Sequence, residues 1–267
     1  MLKKISENKK RTMKDILPAT FFLMKLCGLW QPFDCTKFFF KIIYIFYAVF
    51  TFFTIISVGL SLVCVIIISS ENIKDAIVEN SFLLFTLLNG WVKGLILICR
   101  RNHIKSLLRS LLDEQSQPLD STEEEIQNKV DKKAKKITII HATSVGLAVV
   151  SMYFAVLSKN GDERIKILNS WRPYNLRVPL YFWITWFHEF IGHFQTSIVH
   201  LSADTLVPGL MIQLCCQLKF IRYRLNEFSS QIKKLKNSKI NKQELETAFI
   251  SKTIIHHNTL FLCIFDS

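Results

Sequence analysis

Four stretches of this chain are too apolar to sit against water, and its charges are gathered into the segments between them. The first, 38–68, carries Lys41 near its start and no other full charge. A helix needs about 20 apolar residues to cross about 30 Å of hydrocarbon, so this run spans with length to spare. It is too long for a signal-peptide core, and no small-residue cleavage site follows it. The second run, 81–99, holds only Lys93, and the third, 137–157, holds no full charge. The fourth, 180–205, is the most polar, with His188, Glu189, His193 and His200 among its aromatics and Asp204 at its end. Half of the residues are apolar, 22 of them Phe, yet the formal net charge is +13. A nucleic-acid binder would spread Lys and Arg over an ordinary core, so no nucleic-acid partner is expected. The aromatics exclude disorder, and the size excludes a small disulfide framework. The expected fold class is all-α: a polytopic helical membrane protein with four spans and a helical extension of the fourth.

The direction of threading follows from the basic residues. Segments 1–37, 99–137 and 217–257 hold 26 Lys and Arg, and segments 69–80 and 158–179 hold six. Lysine and arginine accumulate on the cytosolic side of a membrane, so the N-terminus, the 99–137 loop and the tail are expected there. The count also argues for the fourth span, because without it the basic tail would lie outside. Residues 1–37 are then a cytosolic segment, 38–205 the transmembrane domain, and 206–267 a cytosolic helical anchor portion. Only Cys64 approaches the outer face, so no extracellular disulfide within the chain is expected. In 206–225, Leu206, Leu210, Leu214, Leu218, Ile221 and Leu225 keep a helical period, interrupted only near Pro208-Gly209. A second helix is expected from about Asn241. Pro118 and Asn160-Gly161 mark loops.

Few residue patterns support chemistry. His188-Glu189…His193 resembles a zinc-protease motif, but its histidines are five apart and about 140° out of alignment, where the motif needs four. No phosphate-binding glycine loop, nucleophile elbow or Cys-x-x-Cys occurs. No catalytic residue, metal ligand or cofactor is expected. Glu189 is different, because an ionisable residue inside a span is a functional candidate by default. His193 shares its helical face, and Lys93 is at a depth to pair with it if the two helices touch. Glu189 serves either as helix–helix glue or as the polar wall of a ligand cavity. Phe85 and Asn89 on the second run, Ser151 and Tyr153 on the third, and Trp186, Phe187 and Phe190 on the fourth lie in the same outer half. With Glu189 and His193 they are the candidate ligand-binding residues, an apolar set with a few hydrogen-bonding groups. Gly90-x-x-x-Gly94 has the small-residue spacing that lets helices approach closely. Lys233–Lys242 reads as a solvated surface or one facing lipid headgroups.

Three segments resemble one family. Met24-Lys25-Leu26-Cys27-Gly28-Leu29-Trp30-Gln31-Pro32 is similar to the segment ahead of the first span in insect odorant receptors. Ala203-Asp204-Thr205-Leu206, running into Gln217-Leu218-Lys219-Phe220, resembles the lower fourth helix of that family, and His256-His257-Asn258 resembles the cytosolic approach to its fifth span. The resemblance implies a plasma-membrane subunit of a ligand-gated cation channel, assembled as a hetero-tetramer with a shared coreceptor. It implies a pocket for a small apolar volatile molecule in the outer half of the bundle, and a cytosolic anchor domain. It covers about the first two-thirds of a seven-span pattern, whose seventh helix lines the pore, so the 267 residues alone are expected to carry no current. The competing readings are a gustatory receptor and a four-span membrane adaptor without a ligand.

Overall fold

The structure is a computed structural model that describes residues 11–13, 15–31, 38–68, 73–159, 171–234 and 242–265. Pro32, the Asn160-Gly161 loop and most of Lys233–Lys242 lie outside the described residues. Seven α-helices are described: α1 Pro18–Leu26, α2 Phe38–Ile68, α3 Ile73–Cys99, α4 Arg101–Ser110, α5 Ser121–Leu157, α6 Pro179–Lys234 and α7 Lys242–Phe265. One 3₁₀ turn, Glu114–Ser116, precedes α5. No strand occurs among the described residues. Four helices, α2, α3, α5 and α6, are long and apolar enough to cross a membrane. The protein is therefore an all-α, multi-pass membrane protein.

Three helices outrun the apolar runs that announce them. The second run starts at residue 81, but α3 starts at Ile73. The third starts at 137, but α5 begins sixteen residues earlier at Ser121. Its start is set by a cap rather than by hydropathy: Asp120 Oδ1 accepts from the Glu123 amide at 2.8 Å, and Glu123 Oε2 accepts from the Leu119 amide at 2.8 Å. Such reciprocal side-chain caps satisfy the amides a helix start leaves open. α6 continues for 56 residues, about 84 Å at 1.5 Å per residue. The helix runs on through the point where the apolar period is interrupted, with Pro208 inside it.

The residues divide into two compact units. The first comprises Ala19–Cys99 and Ile137–Thr205, here the span unit; the second comprises Met1–Pro18, Arg100–Lys136 and Leu206–Ser267, here the extension unit.

In the span unit, α1 ends at Gly28, whose φ of +74° is a conformation glycine adopts without strain. The Leu29 amide donates to Met24 O at 2.9 Å and the Gly28 amide to Lys25 O at 3.3 Å. This is the paired closure of a helix terminated by a left-handed residue. A Cβ at Gly28 would also lie 2.8 Å from the Ala48 Cα, so α2 passes directly over the turn. Tyr44 and Tyr47 of α2 donate their hydroxyls to Trp30 O and Leu26 O. Trp30 is fully buried beside Phe21, ring centroids 5.0 Å apart. These contacts give the Cys27-Gly28-Leu29-Trp30 motif its physical role.

Glycines seat the long helices against one another. A Cβ at Gly192 of α6 would meet Val58 Cγ2 of α2 at 2.6 Å. At Gly90 of α3 it would meet Thr196 Cγ2 of α6 at 2.7 Å, and at Gly94 it would meet Val199 Cγ1 at 3.4 Å. The Gly90-x-x-x-Gly94 spacing therefore serves an intramolecular α3–α6 contact. His200 Nε2 donates to Thr86 O at 2.9 Å along the same seam. Outward-facing residues such as Phe38, Phe46 and Phe53 of α2 are exposed, as a lipid-facing surface requires.

In the extension unit, α5 and α6 pack through Ile126, Val130, Ile212, Cys216 and Phe220, with Phe228 stacked on Phe249 of α7 at 3.9 Å between centroids. Two arginine–carboxylate pairs flank this core. Arg224 grips Glu123 through Nε and Nη2, both at 2.7 Å, and donates to Gln115 O and Gln117 O. Arg11 holds Asp131 at 3.0 Å, and Gln127 and Gln213 donate to the same carboxylate.

Candidate functional site

The outer half of α6 is organised by what precedes it. Pro179 opens the helix, a position where proline's missing N–H costs nothing. The connection before it is tied down by backbone and side chain together. The Trp171 amide donates to Ser61 O of α2 at 3.3 Å, and the Tyr174 hydroxyl lies 2.9 Å from Thr185 Oγ1. Two faces of α6 then carry polar groups below this tie.

One face meets α5 in an aromatic cluster. Tyr153, Val156, Phe182 and Trp186 form its buried centre, with Phe190 packed against it. Trp186 Nε1 donates to Tyr153 O at 3.2 Å, and its ring stacks on Phe190 at 5.4 Å. The Tyr153 ring lies edge-on to both. Its hydroxyl reaches His193 Nδ1 at 2.6 Å, while Glu189 O is 3.0 Å from the same nitrogen. The Glu189 carbonyl can only accept, so Nδ1 carries the ring proton and shares it between Glu189 O and the Tyr153 hydroxyl oxygen, which leaves Nε2 as a bare acceptor. That Nε2 is buried and has no hydrogen-bond partner among the described residues. Buried polar groups are normally paired, so this nitrogen marks a place for a polar atom from elsewhere.

The other face meets α2 and the Trp171–Tyr174 segment. Ser57 Oγ donates to Thr54 O, so His188 Nε2, 2.7 Å away, donates to Ser57. Glu189 pairs with Arg172, and both side chains are more than nine-tenths buried. This corrects the expectation that Lys93 is its partner: Lys93 Nζ donates instead to Asp204 Oδ1 at 2.7 Å. Two factors decide it. Lys93 and Asp204 meet where α3 crosses α6, and the connection ahead of Pro179 delivers a guanidinium from the sequence side that carries no span. A cavity of about 390 Å³ opens beside this pair. A smaller apolar cavity of about 130 Å³ lies between α2 and α3, lined by Ile55, Gly59, Leu87 and Trp91 among others.

The expected ligand-binding residues fall into two groups. Tyr153, Trp186, Phe190 and His193 are brought together, with Phe187 at the rim, its ring 5.0 Å from that of Trp186. Glu189 sits one turn from His193 but turns its carboxylate to Arg172. Phe85 is 71% exposed, and Asn89 and Ser151 are exposed as well. Ser151 spends its hydroxyl on Ala148 O within its own helix. Sequence reasoning missed Arg172, Ser57 and His188 as one polar group. The signal available was the arginine-proline pair ahead of the fourth span, on the same side as the carboxylate in that span's outer half.

None of the curated proteins matches the chain. A sequence model of the seven-transmembrane odorant receptor family does match, over residues 73–264, well over half of the length. That interval takes in α3 to α6 and most of α7, so it carries three of the four spans, the aromatic cluster and the core of the extension unit. The chain therefore belongs to the odorant receptor family.

Proposed function

We propose that this protein is a ligand-binding subunit of an odour-gated cation channel, acting in the sense of smell together with a coreceptor in a hetero-tetramer. A small, largely apolar volatile molecule is taken up in the outer half of the bundle, against Tyr153, Trp186, Phe190 and His193. The observation that carries this reading is the unpartnered His193 Nε2 inside an aromatic cluster. A ligand hydroxyl would complete its hydrogen bonding by donating to it, while the rings take the apolar remainder. Phe85, Asn89, Ser151, Phe187 and Glu189 complete the proposed binding region by depth rather than by contact. Glu189 acts there through its hold on Arg172, not as a direct ligand contact.

The subunit resides in the plasma membrane with its N-terminus in the cytosol, an orientation supported by the 26-to-6 division of basic residues. Reporter fusions at both ends, and glycosylation acceptors built near Asn72 and Asn160, test the topology. An outward-facing terminus overturns it. The binding reading is tested on purified protein by quenching of the Trp186 fluorescence with a panel of volatile esters, ketones and alcohols. His193→Phe removes the open nitrogen while keeping an aromatic ring, and should weaken the alcohols selectively over the esters and ketones. Equal affinity in His193→Phe for every ligand would sink it. Co-purification with the coreceptor tests the assembly.

A further inference from the structure

We infer that the cavity on the α2 side of α6 is a second binding site, built for a medium-chain carboxylate held by Arg172. It shares no lining residue with the aromatic cluster and does not rest on the function proposed for that cluster. Its volume, about 390 Å³, is within the range of small-molecule sites. Leu60, Trp171, Pro173 and Ile184 supply apolar wall, and Arg172, with Ser57, Ser61, Tyr174 and His188, supplies the polar part.

The hydrogen-bond ledger of that polar part decides the chemistry of the ligand head. Ser57 and Ser61 donate their hydroxyls to Thr54 O and Val58 O within α2. The His188 Nε2 proton goes to Ser57. The Tyr174 hydroxyl is engaged with Thr185. Arg172 is the exception: among the described residues it donates one N–H to Trp171 O and one to Glu189, from a fork of five. It lines the cavity, whereas Glu189, its countercharge, does not. The site therefore presents spare donors, a fixed cation and no carboxylate. An anionic oxygen pair fits a guanidinium fork in a bidentate way, whereas an ammonium would meet a like charge and no carboxylate there. Glu189 keeps the guanidinium in place when the cavity is empty, so the ligand meets a donor array already oriented.

Cys64 lines the same cavity and is a free thiol, which gives the site its own probe. The test uses the full chain in lipid nanodiscs with Cys35, Cys99, Cys215 and Cys263 changed to Ser. The rate of Cys64 alkylation is followed with octanoate, methyl octanoate or octylamine present. Octanoate should slow alkylation at concentrations about tenfold lower than the methyl ester, the advantage of a charge-assisted pair over a neutral one. Octylamine should leave the rate unchanged. Arg172→Gln alone strands a buried carboxylate, so the informative variant is Arg172→Gln with Glu189→Gln, checked for an unaltered melting profile. It should lose the preference for octanoate over the ester, and Leu60→Trp should abolish protection by both. The inference is overturned if octanoate gives no protection, if octylamine protects equally, or if the double variant keeps the preference. It is also overturned if only the nanodisc lipid changes the rate, which would make the cavity a lipid acyl slot.

Discussion

The span unit and the extension unit contain the same helices, α5 and α6, yet hold them by different means. In the span unit the contacts are made by subtraction. Gly90, Gly94 and Gly192 remove side chains so that backbones approach, and Thr51, Thr54, Ser57, Ser61, Thr196 and Thr205 return their hydroxyls to carbonyls three or four residues back. In the extension unit the contacts are made by addition. Arg224 with Glu123, Arg11 with Asp131, and the glutamines between them build a buried polar lattice. Lipid tails supply no hydrophobic drive to push helices together, so in the span unit close packing and satisfied polar groups do the work. In the extension unit apolar burial supplies a core, and charged pairs fix which surfaces meet.

The comparison is easiest to break at Glu123. It is 1% exposed and takes both arms of Arg224. Glu123→Ala leaves a buried guanidinium unpaired and should cost the extension unit about 3–5 kcal/mol. Protection of α5 and α7 from proteolysis would drop sharply, while hydrogen exchange in α2 and α3 should hold.

A second test is acid. His256 is buried in the extension unit, and burial, with Arg224 and His257 adding repulsion against the pull of Asp113, lowers its pKa to about 4. The unfolded chain would bind that proton near pH 6.5. The folded unit thus binds fewer protons between those values, so its stability is full above about 6.5 and falls as pH drops toward 4. The loss would be on the order of 3 kcal/mol across the window. Chemical-denaturant midpoints measured from pH 7 to 4 should show it, and His256→Met should flatten the slope.

The glycine logic of the span unit is sharpened by a matched pair. Gly192→Ala puts a methyl 2.6 Å from Val58 Cγ2 and should cost about 1–3 kcal/mol, the usual range for overpacking. Gly146 and Gly59 have nothing within 4 Å of such a methyl. Alanine there should stabilise by about 0.5–1 kcal/mol through helix propensity. Thermal unfolding in one detergent separates the two signs, and an equal response at all three sites would remove the seating role.

A further small effect is expected from Tyr153→Phe. It deletes the hydroxyl that reaches His193 and keeps the ring contacts with Trp186 and Phe190. Ligand selectivity should move by about 0.5–1.5 kcal/mol, the value of one hydrogen bond. A competition series of oxygenated ligands against hydrocarbons would measure it.

Some of this molecule was written in the one-dimensional pattern. The segregation of Phe, Ile and Leu from Lys and Arg determined the four long helices, because hydrocarbon admits only segments that satisfy their own backbone. Depth along the spans and side-chain chemistry put Tyr153, Trp186, Phe190 and His193 in one outer-half region, without saying which of them touch. The starts of the helices were less legible. α5 begins where Asp120 and Glu123 cap it, far upstream of its apolar run, because a charged helix in water is stabilised by caps and partners rather than by hydropathy. Partner choice was left to the tertiary structure. Lys93 and Arg172 are both cations that could answer Glu189, and depth along a span favours the lysine. Only the azimuth of each helix and the path of the connection before Pro179 gave the carboxylate to Arg172 and the lysine to Asp204. An ion pair is fixed within a few ångströms, whereas sequence specifies depth and face but not which face meets which.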